Sequence, residues 1–162
     1  MGFVCYGQSN YRFRNYTISN GLSQSSVNSI IQDDLNSLWI GTQDGLNRFD
    51  GKSFEIFSSD ETEGLESEYV LCSLKDRNGD LWFGTSKGLT HFNLRTEEFK
   101  TYNAHNGIVL HIQDIAEDHN GDLWLATAES GLYRFDIRKK KLHNKAIEIP
   151  SNSLKNVETN QN

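Results

Sequence analysis

The chain has 162 residues, 36% hydrophobic and 11% aromatic, with 13 glycines and one proline. That is enough apolar material for a core and excludes wholesale disorder. The formal net charge of −6 comes without a basic stripe, which argues against nucleic-acid binding, and no apolar run reaches the roughly 18 residues of a membrane span.

Residues 1–8 open with an apolar and small stretch, Met1 to Gly7, that gives way abruptly to Gln8, Ser9 and Asn10. They read as the remnant of a secretory leader, with Cys5 and Gly7 as the small residues of a cleavage site. This predicts a periplasmic or otherwise extracytoplasmic location. The two cysteines, Cys5 and Cys72, match no metal spacing, and no bridge between them is expected, because Cys5 falls in the leader.

From residue 9 to about 150 the chain repeats itself. Trp39, Trp82 and Trp124 are 43 and 42 residues apart, while Gly45, Gly88 and Gly131, like Phe49, Phe92 and Phe135, keep a spacing of 43. The blocks fall at about 25–60, 67–103 and 110–146. In each block a first strand ends on an acid, at Asp33, Asp76 or Asp118. A turn follows, carrying Asn78-Gly79 in the second block and Asn120-Gly121 in the third; Asn-Gly is expected to supply the positive φ angles of a tight hairpin. The second strand is Leu-Trp-(Ile/Phe/Leu) followed by a small residue, Gly41, Gly84 or Ala126, and then Thr. The third is Gly-Leu-X-(Arg/His)-Phe, and a fourth contains Phe54 to Phe57 or Phe99 to Tyr102. In the third block the fourth strand is weaker, with Leu142 as its apolar residue.

Four short strands per repeat of this length predict an all-β fold of stacked propeller blades, three of them, in an incomplete ring. One unit cannot bury both of its faces, so it must stack on copies of itself. The repeated tryptophans are therefore read as core. The small residue after each is expected to let a neighbouring blade's aromatic approach closely. Residues 11–17, with Tyr11, Phe13 and Tyr16, repeat the outer-strand pattern and are expected to form an outer strand without inner strands of its own. The tail, 151–162, reads as the opening of a further repeat. Two bare blade faces would remain, so remaining blades of a longer protein, or self-association, are the expected partners.

At these residues the chain resembles the two-component-regulator propeller repeat, found in the periplasmic sensor regions of hybrid two-component histidine kinases of Bacteroidetes. The second and third blocks match that pattern almost throughout; the first departs at its turn, where Leu35-Asn36-Ser37 stands for Asn-Gly. The resemblance implies a sensor region that recognises carbohydrates or related signals and passes them to a kinase, with the present chain as an N-terminal fragment.

No catalytic constellation, cofactor motif or metal spacing stands out. Alternating Asp76, Asn78 and Asp80 lack the glycine and glutamate positions of a calcium hand, so the hairpin reading is preferred. The five histidines, 91, 105, 111, 119 and 143, make no metal pair. Ligand-binding candidates come from positions that vary while the repeat holds steady. Seven residues before the inner-strand acid stand Ser26, Tyr69 and His111, at the start of strands expected to line a central channel. The functional expectation is a non-catalytic sensing module for an oligosaccharide or related small ligand. The alternatives are an enzyme like the streptogramin lyases, whose repeats are similar, and a structural interaction scaffold.

Overall fold

A computed structural model describes residues 12–103 and 108–144. The leader reading on 1–8, the tail reading on 151–162 and Cys5 lie outside the described residues.

The three repeats form three separate four-stranded antiparallel sheets, each a simple meander. Blade 1 is β1 (Val27–Gln32), β2 (Leu38–Thr42), β3 (Leu46–Phe49) and β4 (Phe54–Phe57). Blade 2 is β5 (Val70–Lys75), β6 (Leu81–Thr85), β7 (Gly88–Asn93) and β8 (Glu98–Tyr102). Blade 3 is β9 (Ile112–Glu117), β10 (Leu123–Thr127), β11 (Leu132–Asp136) and β12 (Lys141–Asn144). The first strands, β1, β5 and β9, adjoin one another. They are the inner strands of an arc of propeller blades.

Each blade is organised by one aspartate. Asp33, Asp76 and Asp118 accept a hydrogen bond at Oδ2 from the indole Nε1–H six residues on, in Trp39, Trp82 and Trp124, at 2.8, 2.9 and 3.1 Å. Their Oδ1 atoms accept backbone N–H bonds from the turn: Leu35 and Ser37, Asn78 and Asp80, Asn120 and Asp122. One carboxylate thus closes the first hairpin and satisfies a tryptophan donor carried into the core, where an unpaired N–H would cost about 1–3 kcal/mol. The turn differs in one respect from the reading of Asn-Gly. Only its glycine is left-handed, Gly79 at φ 88° and Gly121 at φ 86°, while in blade 1 Asn36 takes the same place at φ 67°. Asparagine tolerates that region better than most residues, so the first turn survives without glycine.

The second hairpin has its own device. The hydroxyls of Thr42, Thr85 and Thr127 donate to the carbonyls of Gly45, Gly88 and Gly131 at 2.9, 3.0 and 2.7 Å. Gly45 and Gly88 have φ of 137° and 130°, and Gly131 has φ of 76°, which explains the recurrence of glycine there.

The core lies between blades. Trp39 packs across the first joint on Phe83, Phe92 and Phe99 of blade 2, its ring centroid 4.5 Å from that of Phe92. Trp82 repeats this on Phe135 of blade 3 at 5.3 Å. Both tryptophans are fully buried, whereas Trp124, on the far face of blade 3, is half-buried. Phe92 and Phe135 are buried as the partners in this stacking, and Phe49, at the same place in blade 1, is buried against Tyr16 and Phe54.

The small residue beside each tryptophan has a different neighbour from the aromatic expected. A Cβ on Gly41 would stand 2.5 Å from Cγ1 of Val70, and one on Gly84 would stand 2.7 Å from Cγ2 of Ile112. A β-branched side chain at the start of the next inner strand fills the space that glycine leaves. Ala126, the equivalent in blade 3, is exposed and has room for its methyl. The inner strands carry a matching irregularity: Asn28, Leu71 and Gln113 are the extra residues of three equivalent bulges, each directly after the β-branched residue.

Residues 12–17, expected as part of an outer strand, form no strand. A strand needs a neighbour for its N–H and C=O groups, and among the described residues no third-strand edge lies beside them. Tyr16 nonetheless packs, 5.0 Å from Phe49 and 5.7 Å from Phe54, over the near face of blade 1.

Two substitutions separate these roles. Trp82→Ala is expected to lower stability by about 3–5 kcal/mol in chemical denaturation, as for other large buried aromatics. Gly84→Val, which forces a branched side chain against Ile112, is expected to cost about 1–3 kcal/mol, while Ala126→Val, on the exposed face, changes stability by less than about 0.5 kcal/mol. Equal effects of the two valines would contradict the joint described.

Candidate functional site

The inner strands begin at one end of the arc, and there the connections between blades reach the axis. Tyr69 and His111 precede β5 and β9, both half-buried, with ring centroids 6.2 Å apart and planes at 65°, an edge-to-face pair across two blades. Their backbones are held by the second hairpin of their own blades: the Tyr69 carbonyl accepts from Ser86 N–H at 3.1 Å and the His111 carbonyl from Ala128 N–H at 2.9 Å. Tyr69 N–H in turn donates to Ser67 Oγ at 3.1 Å, and Ser67 shares a hydrogen bond with Ser86 Oγ at 2.9 Å. Two ring-bearing side chains thus stand on a backbone that is tied down on both sides. Ser26, the third candidate, is exposed ahead of β1, and no side-chain hydrogen bond joins it to the pair.

Glu68 extends this mouth and was not visible in the repeat pattern. Its carbonyl accepts from Gly45 N–H at 3.1 Å, linking blades 1 and 2. Its carboxylate takes a short hydrogen bond from the Ser59 hydroxyl, which holds it below the usual carboxylate range, and Lys87 adds to the effect. The mouth therefore offers a fixed anionic acceptor close in sequence to the Tyr69–His111 pair. Glu68 lies in the connection between blades, where residue type does not recur, so no periodic signal marks it.

Other polar groups are committed elsewhere. Asp76 is occupied by its turn and by Trp82, and Asp80 Oδ2 lies 3.0 Å from His91 Nε2. His91 is buried against the Trp82 ring at 4.3 Å, and burial lowers its pKa although Asp80 opposes the shift. It stands where blades 1 and 3 have Arg48 and Arg134, so its role is to cover the indole. Burial pushes the Cys72 thiol up to about 12, which leaves it a poor nucleophile. Among the described residues no group of three or more His, Cys, Asp or Glu side chains is placed to hold a metal ion.

A concavity of another kind lies elsewhere among the described residues. An open groove of about 1080 Å³ runs between the outer strands of blades 1 and 2, with Glu61, Glu63, Glu66, Glu97 and Glu98 on its walls. It does not include Tyr69 or His111. The groove is open and lined mainly by polar and charged side chains, and the Tyr69–His111 pair lies outside it.

Among the described residues no helix is long and apolar enough to cross a membrane. Comparison with known proteins places the repeats. The two-component regulator propeller repeat matches at residues 21–44, 64–87 and 106–129. A curated relative, histidine kinase P4 of Formosa agariphila, is 55% identical over 49 residues, which is 30% of this chain and 4% of the kinase. Among solved structures, the extracellular domain of a hybrid two-component system from B. thetaiotaomicron superposes with a TM-score of 0.72 at 26% identity, over 82% of this chain and 20% of that one. Virginiamycin B lyase from Staphylococcus aureus shares the fold, with a TM-score of 0.58 at 16% identity, over 72% of this chain and 40% of the lyase. This chain therefore spans a small part of the proteins it matches. The three matched segments fall one in each blade: the chain carries three two-component regulator propeller repeats.

Proposed function

We propose that this segment is part of a signal-sensing propeller outside the cytoplasmic membrane, serving a two-component sensor without performing catalysis itself. The observation that carries the reading is the Tyr69–His111 pair, two variable residues brought edge to face on an otherwise invariant frame. Tyrosine offers a stacking face and histidine a hydrogen-bonding edge. With Glu68 nearby and a net charge of −6, the chemistry suits a neutral oligosaccharide or a related small ligand better than a polyanion. Signal would reach a kinase through the rest of the protein that carries these blades.

The lyase-like fold favours a second reading, in which the complete propeller turns its ligand over. Isothermal calorimetry distinguishes them, using the whole extracytoplasmic region and a panel of neutral oligosaccharides. Replacing Tyr69 and His111 together by alanine is expected to weaken the tightest ligand by about tenfold or more, the loss of at least one central contact. Unchanged affinity in the double variant removes the pair from the site, and chemical conversion of the ligand during titration favours the enzyme.

A further inference from the structure

The third strand of each blade sets a basic residue beside the tryptophan: Arg48, His91 and Arg134, in register with Trp39, Trp82 and Trp124. At the first joint this cation is met by anions from two sides. Arg48 donates to Glu55, its cross-strand neighbour on β4, at 2.9 Å, and pairs with Glu97, in the β7–β8 turn of blade 2, at 2.9 Å. At the second joint both positions are reversed in sign. The cross-strand neighbour of His91 on β8 is Lys100. In blade 3 the place of Glu97 is taken by Lys140, in the β11–β12 turn, where the backbone is left-handed in the same way, φ 53° against 56°. Lys140 Nζ lies 5.7 Å from the Trp82 ring, and Lys100 Nζ 5.5 Å from the Tyr102 ring beside it.

Unlike the two arginines, His91 can lose its charge. It is buried against the indole with Nε2 3.0 Å from Asp80 Oδ2, so the neutral ring carries its proton on Nε2 and donates it to that carboxylate. A second proton would go to Nδ1 and set a full charge beside two lysines. Asp80 and, at longer range, Asp76 favour that charge, but Asp76 already serves its turn and the Trp82 indole. Glu98, two residues before Lys100, accepts a hydrogen bond from Thr96, and Tyr102 stays neutral, since burial raises its pKa. Burial is the strongest influence on His91 and lowers its pKa, Lys140 acts in the same direction, and the two aspartates do not reverse the result.

We propose that the joint between blades 2 and 3 is a pH-sensitive contact, closed while His91 is neutral and weakened when the ring takes up a proton. This goes beyond ligand recognition and does not depend on it, although Tyr69 and His111 meet across the same joint. The unfolded chain binds the extra proton more readily than the folded one. The stability contributed by neutral His91 is therefore complete above the usual histidine value of 6.5 and is lost as pH falls below it. The first joint has no such loss, because Arg48 keeps its charge throughout.

Chemical denaturation of the full chain at about pH 8 and about pH 5, the limits of the histidine window, provides the test. The midpoint of the original chain is expected to fall further between the two than that of His91→Gln, which stays neutral and can still donate to Asp80. Lys100→Glu/Lys140→Glu gives the second joint the charges of the first, and both positions are exposed, so folding is expected to survive. In that background the excess loss at low pH should shrink or change sign. His91→Arg should lower the midpoint at about pH 8 in the original chain and be tolerated beside the two glutamates. The proposal is overturned if His91→Gln loses as much as the original chain on acidification. It is overturned equally if the lysine changes leave the pH dependence intact, or if His91→Arg costs the same in both backgrounds.

Discussion

The hydrogen bond from each repeat tryptophan to the aspartate six residues before it is the constraint on which the structure depends. Burying an indole places a large apolar surface in the core but also carries in one N–H that must be satisfied. The carboxylate that satisfies it is itself almost buried in blades 1 and 2, and an isolated charge there would be costly. It is tolerated because two turn N–H groups bind its other oxygen. Turn, carboxylate and indole therefore form one unit, in which removal of any part leaves the others unpaired.

The clamp fixes the indole, and the indole then sets the joint. Trp39 and Trp82 each lie on the phenylalanine that ends the third strand's core pattern in the next blade, at 4.5 and 5.3 Å. With the ring in place the residue two positions on must be glycine, since Val70 and Ile112 press into the space at Gly41 and Gly84. The close contact draws the inner strands together at their starts, where the bulges lie. Tyr69 and His111 are the residues immediately before Val70 and Ile112, so their separation follows from the joint and not from any contact they make themselves. A site formed across blades in this way inherits the stiffness of the interface beneath it. Ion pairs also cross the joints, among them Lys75 with Asp34, which faces solvent and adds little stability.

Much of this was legible in the sequence because it recurs. Tryptophan, small residue, glycine and phenylalanine keep their spacing because each faces the same neighbour in every joint. Period alone did not say what the neighbour was. The expected aromatic opposite Gly41 and Gly84 proved to be a β-branched aliphatic, since the residue that fills the gap comes from the next repeat's first strand. Residues 12–17 have the composition of an outer strand, yet a strand is a property of two segments, and the second is not among the described residues. Tyr16 kept the packing half of that expectation and lost the hydrogen-bonding half. The mouth was the least legible. Tyr69 and His111 could be chosen only as variations within a constant pattern, and Glu68 stood in a connection with no pattern at all.

The clamp is tested most directly by a double-mutant cycle in the middle blade, with Asp76→Ala, Trp82→Phe and the pair compared by chemical denaturation. Phenylalanine keeps most of the ring in the joint and removes the N–H, so the cycle isolates the hydrogen bond from the stacking. The account predicts a coupling of about 1.5–3 kcal/mol, the range for a hydrogen bond to a charged group. Effects that add to within about 0.5 kcal/mol would mean that aspartate and tryptophan act independently, and would contradict the account.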